Sequence, residues 1–271
     1  MNIKLVDSYE TYRVLIEERK PINNGFWPDE IKKYISCKRL AYSEIDNTLF
    51  LLYDEKKYRQ LVVVGILNTE DFDKVKLPND IPIVCQVVEK RESSDQKVLR
   101  DFLENIGFKC RERIYEYSLN DIGHIKLENP LSEISIRRKV NNEKDYYRIL
   151  ELWKHNLPFI EIPYISIEDL KKMEDDNHLL ILDDVESGQI AGACYFDIYL
   201  GTSTIHHIVV DSSYRKCGYG TIILKEWIKE LKNLGIKRAR SWVEESNIAS
   251  RKSFEKVDFY MTPNVSYQYI L

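Results

Sequence analysis

The sequence predicts a mixed α/β fold, in which strands of a sheet are interspersed with helices. Three observations carry that expectation. Period-two and period-3.6 hydrophobic patterns alternate through residues 133–271. A fainter copy of the alternation runs through the first half. And 271 residues, 44% of them hydrophobic and 31% charged, suffice for two domains with buried cores.

In the first half, "TLFLLYDE", "QLVVVGIL" and "IPIVCQVV" read as three strands. The stretch "ESSDQKVLRDFLENIGFKCRERIYEYSL" (92–119) then lies alongside "ESNIASRKSFEKVDFYMTPNVSYQYIL" (245–271) with little gapping. Both begin Glu-Ser and run through a helix to an aromatic turn, Ile106-Gly107-Phe108 against Val257-Asp258-Phe259. Both end in a tyrosine-rich strand. This reads as a duplication, with a linker in "NDIGHIKLENPLSE" (120–133) and domains at 1–125 and 126–271. The aromatics of "RKPINNGFWPDEIKKYI", Phe26 and Trp27, are placed either at the domain junction or in a core.

The second half is read element by element. "EISIRRKV" (133–140) alternates like a strand, and 142–156 has helical spacing, with Tyr146, Ile149, Leu150 and Trp153 on one face. "SIEDLKKMEDD" (166–176) opens on a serine capping signal. Strands follow at 178–184, 189–200 and 203–211. Residues 221–235 then form a helix whose stripe is Ile222, Ile223, Trp227, Ile228 and Leu231, ending at Gly235. "KRARSWVEE" is a strand, "NIASRKSFEKV" a helix, and "VSYQYIL" closes the chain, giving the order β-α-α-β-β-β-α-β-α-β-β.

Composition narrows the function. The net charge of −4 offers nucleic acid no electrostatic footing. No apolar run nears the roughly 20 residues of a membrane span, and the N-terminus lacks the apolar core of a targeting segment. Five cysteines at 37, 85, 110, 194 and 217 show no CxxC, so reduced thiols and a cytoplasmic location are expected, with no metal site.

Chemistry concentrates in "HHIVVDSSYRKCGYGTIILKEWIKE", residues 206–230. Its core is Arg215-x-x-Gly218-x-Gly220, set between an apolar strand and a helix. A helix start leaves backbone N–H groups unpaired and carries partial positive charge. Glycines let that backbone approach an anion closely, and Arg215 and Lys216 add formal charge. The arrangement suits a pyrophosphate. There is no GKS or GKT, so it is not a P-loop, and it lacks the GxGxxG of a dinucleotide site. A glycine-eased turn with solvated basic residues is the plain alternative.

The segment from Val210 to Phe259 resembles the core of the GCN5-related N-acetyltransferase (GNAT) superfamily. That family pairs a (Gln/Arg)-x-x-Gly-x-(Gly/Ala) loop with a later Asn-x-x-(Ala/Ser)-x-x-x-(Tyr/Phe)-x-x-x-Gly-Phe helix. Here the second signature runs Asn247, Ser250, Phe254, Asp258, Phe259. The resemblance implies two GNAT-like domains, each a twisted, mixed, mostly antiparallel sheet flanked by helices, the first degenerate and the second an acyl-CoA-dependent N-acyltransferase using acetyl-CoA or another acyl-CoA without a metal. It implies that Arg215 and the amides of Lys216, Cys217, Gly218, Tyr219, Gly220 and Thr221 cradle the pyrophosphate. Ile208 and Val210 would pair with the pantetheine arm as an added strand. Asn247, Ser250 and Phe254 would face the cofactor from the later helix, although Asn247 also suits a plain N-cap.

Three positions depart from the family pattern. Ser212 stands where proline is common. Asp258 replaces glycine, and aspartate tolerates left-handed backbone. Phe254 stands where many relatives carry a tyrosine that protonates the leaving thiolate; either Tyr260, Tyr267, a serine or water serves instead, or the reaction runs without a donor.

For the base, strict strand alternation puts Thr204, His206, Ile208 and Val210 on one face and Ile205, His207 and Val209 on the other. His206 matches the position of a family base histidine, against the alternative of a hydrogen-bonded core histidine; His207 is read as structural. Glu161 falls in the acceptor-lining loop, to hold an amine or simply meet solvent, and Glu244 and Glu245 are further candidates. The first half has no RxxGxG; "NTEDFDKVKLPND" stands there instead. The expected partner is a small-molecule or peptide amine, with neither nucleic acid nor membrane. The rival reading is a non-catalytic acyl-CoA sensor or scaffold.

Overall fold

A computed structural model of the protein describes residues 3–17, 19, 28–45, 48–55, 57–65, 75–90, 94–126, 134–158 and 165–271. Glu161, Phe26 and Trp27 lie outside the described residues. The chain forms two compact units. One comprises Met1–Tyr115, Glu244–Ser246 and Pro263–Leu271; the other comprises Glu116–Val243 and Asn247–Thr262.

The first unit contains β1 (Lys4–Leu5), α1 (Tyr9–Ile16), α2 (Pro28–Ser36), β2 (Leu40–Ile45), β3 (Thr48–Asp54), β4 (Arg59–Gly65), β5 (Ile83–Lys90), α3 (Ser94–Asn105) and the start of β6 (Lys109–Leu119). Strands β1 to β4 pair antiparallel in order, and β4 meets β5 in parallel at Arg59–Ile83 and Gln60–Val84. Period two decides how β3 is covered. Leu49, Leu51 and Tyr53 join Val6, Tyr12 and Ile31, while Phe50 and Leu52 join Leu99, Phe102 and Leu103 of α3.

The second unit contains β7 (Ile134–Arg137), α4 (Glu143–Asn156), α5 (Ile167–Asp175), β8 (Leu179–Asp184), β9 (Ile190–Tyr199), β10 (Thr202–Val210), a 3-10 turn (Ser212–Tyr214), α6 (Tyr219–Asn233), β11 (Arg238–Glu244), α7 (Ile248–Glu255) and the start of β12 (Tyr260–Ile270). The caps follow the sequence: Asn142 caps α4, and Ser166 with Asp169 forms a reciprocal capping box on α5. The α4 stripe is buried as expected. Against β8, β9 and β10 it places Trp153, whose indole N–H donates to the Ala193 carbonyl at 3.4 Å. The stripe on α6 differs in one position. Ile222 is only partly buried, and Leu224 takes its place beside Ile223, Trp227, Ile228 and Leu231, because at about 100° per residue position 224 falls within the arc of the other four and position 222 falls outside it.

The order also differs at the end. Where two terminal strands were expected, β12 is continuous from Tyr260 to Ile270. Pro263 lacks an N–H but does not break it, since the antiparallel ladder with β5 starts one residue later, at Asn264 opposite Lys90.

Asp258 takes φ +63°, the left-handed geometry its turn requires, and the Phe259 N–H returns to the Phe254 carbonyl. Gly107 and Phe108 close α3 in the same way, but so do Lys38, Asn177 and Gly235 at three other helix ends. That turn alone is therefore generic. The shared order of elements is the weightier likeness between the halves: an antiparallel meander, a short parallel pairing, a helix and a long strand. Among the described residues no helix is long and apolar enough to cross a membrane, and no cluster of His, Cys, Asp and Glu is arranged to hold a metal.

Candidate active site

The site grows from the β9–β10 hairpin. Its turn is Leu200-Gly201, both left-handed at φ +47° and +73°, the two-residue geometry that suits strand twist. This fixes the register: Tyr199 faces Thr202, Asp197 faces Thr204, and Tyr195 faces His206. The register then slips. The next pair is Val209 with Ala193, so His207 and Ile208 together oppose Cys194 alone. The extra residue is a β-bulge, and His207 takes φ +52° to make it.

The bulge corrects the alternation expected from sequence. His206 and Val209 share a face, and Val209 packs into the α4 core, while Val210 turns to the other side opposite Gly192. Gly192 has a specific reason to be glycine: a Cβ there would sit 2.8 Å from the Val209 carbonyl oxygen. Both histidine rings meet Tyr195, His206 stacked at 4.9 Å and His207 edge-on at 5.2 Å. His207 also meets Trp153 edge-on at 5.5 Å. Burial, and secondarily the charge of His206, lowers the His207 imidazole to about 4, so it is neutral near pH 7.

His206 is partly exposed, and its Nε2 lies 2.9 Å from Asp197 Oδ2. Burial would raise the Asp197 carboxyl, but the His206 bond and charge, the Thr204 N–H and Arg240 outweigh it and hold the group below the usual range. Tyr195 is pushed up to about 12 by burial and by Asp197 and Asp169. A histidine held against a carboxylate beside an open strand edge is suited to accepting a proton.

That open edge is the second component. β10 and β11 pair in parallel only at Thr202–Arg238, Ser203–Ala239 and Thr204–Arg240. Among the described residues the ladder goes no further, and Ser241 Oγ donates to the Ile205 carbonyl at 3.1 Å. The ladder thus stops two residues before His206, ahead of Ile208 and Val210.

The third component is the start of α6. Gly218 is its N-cap at φ +82°, and it has no side chain to cap the first turn. The N–H groups of Thr221 and Ile222 turn back to the Gly218 carbonyl at 3.0 and 3.2 Å, leaving the earlier amides at the helix mouth. Lys216 is also left-handed, at φ +67°, and Lys216 and Cys217 are exposed. Arg215 differs from expectation. Its Nε donates to the Val210 carbonyl at 3.3 Å and its Nη2 to Asn156 Oδ1, so the side chain is tied to the strand end and α4 rather than to the loop amides. A polar cavity of about 640 Å³ lies alongside, lined by Arg148, His155, Asn156, Asp211, Ser212 and Arg215 among others.

The remaining candidates fall as follows. Asn247 caps α7, its Oδ1 accepting the Ser250 N–H at 3.1 Å. Phe254 is 1% exposed, packed against Phe259 and Tyr117. Tyr260 accepts from Asn120 Nδ2 at 2.6 Å. Tyr267, in the first unit, lies under the Arg100 guanidinium. Glu244 ends β11. Glu245 is paired with Arg113 at 2.9 Å. Asp197, Tyr195, Gly192 and Asn156 were not read from sequence.

Residues 144–259 match the acetyltransferase (GNAT) family model. The ribosomal protein bS18 alanine N-acetyltransferase of Haemophilus influenzae is 30% identical over 117 residues, 42% of this chain and 75% of that protein. A GCN5-related N-acetyltransferase of Sphaerobacter thermophilus shares the fold with a TM-score of 0.63 at 14% identity, over 83% of this chain and 76% of its own. A tandem GNAT protein of the clavulanic acid biosynthesis pathway does so with 0.54 at 12% identity, over 86% and 78%. The chain belongs to the acetyltransferase (GNAT) family and has the activity class of a CoA-dependent N-acetyltransferase.

Proposed function

We propose that the chain transfers an acyl group from acetyl-CoA, or another acyl-CoA, directly to a primary amine on a small molecule or peptide, in the cytoplasm. The observation that carries this reading is the succession, from β10 into α6, of a strand edge that β11 leaves, a carboxylate-held histidine and a helix start with no side-chain cap. In it, amides from Lys216 to Thr221 hold the diphosphate, and the backbone of Ile208 and Val210 bonds the pantetheine arm. Arg215 braces the loop through Val210 and Asn156. His206 takes the acceptor's proton, and a bulge amide polarises the thioester carbonyl. Asn247 caps α7, and Ser250 faces the cofactor from it. Glu161 is kept as an acceptor-side candidate. Phe254 supplies no proton, so the departing thiolate takes one from the amine or solvent.

The chain is further proposed to be a tandem protein, with a degenerate GNAT-like domain at 1–125 and the catalytic one at 126–271. The shared element order and the tandem GNAT neighbour support that reading. The intact chain is the object to test, since Pro263–Leu271 belongs to the first unit. Acetyl-CoA should release thiol on incubation with one of a panel of amines, amino acids and peptides, with N-terminal alanine peptides included because of the curated relative. Binding without turnover on any amine would favour the sensor reading.

Gly220→Val should weaken acyl-CoA binding at least about tenfold, or about 1.4 kcal/mol, by calorimetry. A Cβ at 220 meets Ser253 Oγ at 3.6 Å, an ordinary contact, so the fold should accept it. Pantetheine thioesters, which lack the diphosphate, should bind the variant as they bind the parent. Equal loss for both ligands would mean the loop does not hold the diphosphate.

Phe254→Tyr is expected to leave acyl-CoA affinity unchanged and to lower thermal stability, because it inserts a hydroxyl into a ring cluster at 1% exposure. A rise in turnover without loss of stability would show instead that position 254 reaches the sulfur.

A further inference from the structure

We propose that Asp197 is a positioning residue for His206, holding the imidazole so that Nδ1, not Nε2, receives the acceptor's proton. This rests on His206 being the base. The carboxylate Oδ2 lies 2.9 Å from Nε2, and a carboxylate only accepts, so Nε2 carries the hydrogen and the lone pair is left on Nδ1. The ring has little freedom to choose otherwise. Tyr195 stacks on it at 4.9 Å, and the hairpin register sets Asp197 one cross-strand diagonal away. Asp197 is itself held: its carbonyl accepts from Ser203 Oγ at 2.7 Å, and its strand partner Thr204 accepts from Arg240 Nε at 3.0 Å.

The charged and titratable groups around the ring are Asp197 and Tyr195 on β9, His207 on β10 and Arg240 on β11, with Asp169 of α5 acting on Tyr195. α4 offers the uncharged Trp153. Of these only Asp197 bonds the imidazole and carries the sign that stabilises its cation.

The step balances as follows. An ammonium acceptor gives one proton to Nδ1, and the freed lone pair forms the N–C bond at the thioester carbonyl. The C–S bond then breaks, and its electron pair leaves on the CoA sulfur. The second N–H proton neutralises that thiolate, and the proton on Nδ1 passes to solvent. Asp197 accepts no proton at any point; it stabilises the imidazolium while it exists.

The test is Asp197→Asn in the full chain. The Asp197 side chain is 55% exposed, so the substitution should lower melting only slightly. An amide can donate its NH₂ to Nε2, which reverses the tautomer. Nitrogen-15 spectra of the His206 ring, read without any substrate, should show Nε2–H in the parent and its loss in the variant. Turnover should fall about ten- to hundredfold near neutral pH with the KM for acyl-CoA unchanged. On a His206→Ala background the same substitution should cost nothing further. An unchanged tautomer, or an added loss on that background, overturns the positioning role while leaving His206 as base. Normal turnover by His206→Ala alone overturns the base reading, and the positioning role with it.

Discussion

His206→Ala is expected to lower turnover about a hundredfold near neutral pH, or about 2.7 kcal/mol of transition-state stabilisation, with acyl-CoA affinity intact. The reasoning is geometric. His206 is the last regularly paired residue before the bulge, where β10 has left β11, and its partly exposed ring is held through Nε2 by Asp197. An amine that is an ammonium at neutral pH must lose a proton before it can attack, so removing the base leaves only the small free-amine fraction. The deficit should therefore shrink as pH rises towards the acceptor's own pKa. The binding elements, α6 and the strand edge, do not involve this side chain, so calorimetry should find acyl-CoA binding as in the parent. If the variant reacts normally with an authentic acceptor across the pH range, the base lies elsewhere.

The parts of this site that were legible in sequence are those set by local rules. Gly218 and Gly220 ahead of an amphipathic run announce a helix start that backbone or ligand must approach closely, and Gly218 is indeed the left-handed N-cap. The stripes on α4 and α6 follow from a 3.6 period. The bulge was not legible, because a period-two reading assumes one residue per step. "STIHHIVVD" contains no glycine to mark the extra one, and the mark is on the neighbouring strand, at Gly192. Asp197 was within reach. Had Leu200-Gly201 been taken as a two-residue turn, counting back from it pairs Tyr199 with Thr202 and Asp197 with Thr204, which sets a carboxylate diagonal to His206. Asn156 is different. It meets Arg215 across 59 residues of chain, through a packing of α4 on β10 that no local pattern encodes.

The other large effect expected is on stability, and it comes from His207. Its ring is enclosed by Trp153 and Tyr195, and its imidazole is lowered from the ordinary 6.5 to about 4, first by burial and then by the charge of His206. A group whose folded pKa is depressed binds protons more readily when the chain unfolds. Its contribution is thus complete above pH 6.5 and is lost as pH falls through the window from 6.5 to about 4. The loss amounts to about 2 kcal/mol by pH 5 and about 3 kcal/mol by pH 4. Carboxylates with lowered pKa, such as Asp197 and Asp211, lose their contributions only below the ordinary carboxylate value of 3.8 and so leave most of this window to the ring. His207→Asn is the informative variant, because asparagine accepts the left-handed backbone that the bulge requires and does not titrate. It should be less stable than the parent at pH 7.5, having lost two ring contacts, yet flatter between pH 6.5 and 4.5 in urea midpoints. The two curves should converge as acid removes from the parent what the variant never had. Parallel curves through that window would mean that the His207 ring takes up its proton as freely in the folded chain as in the unfolded one.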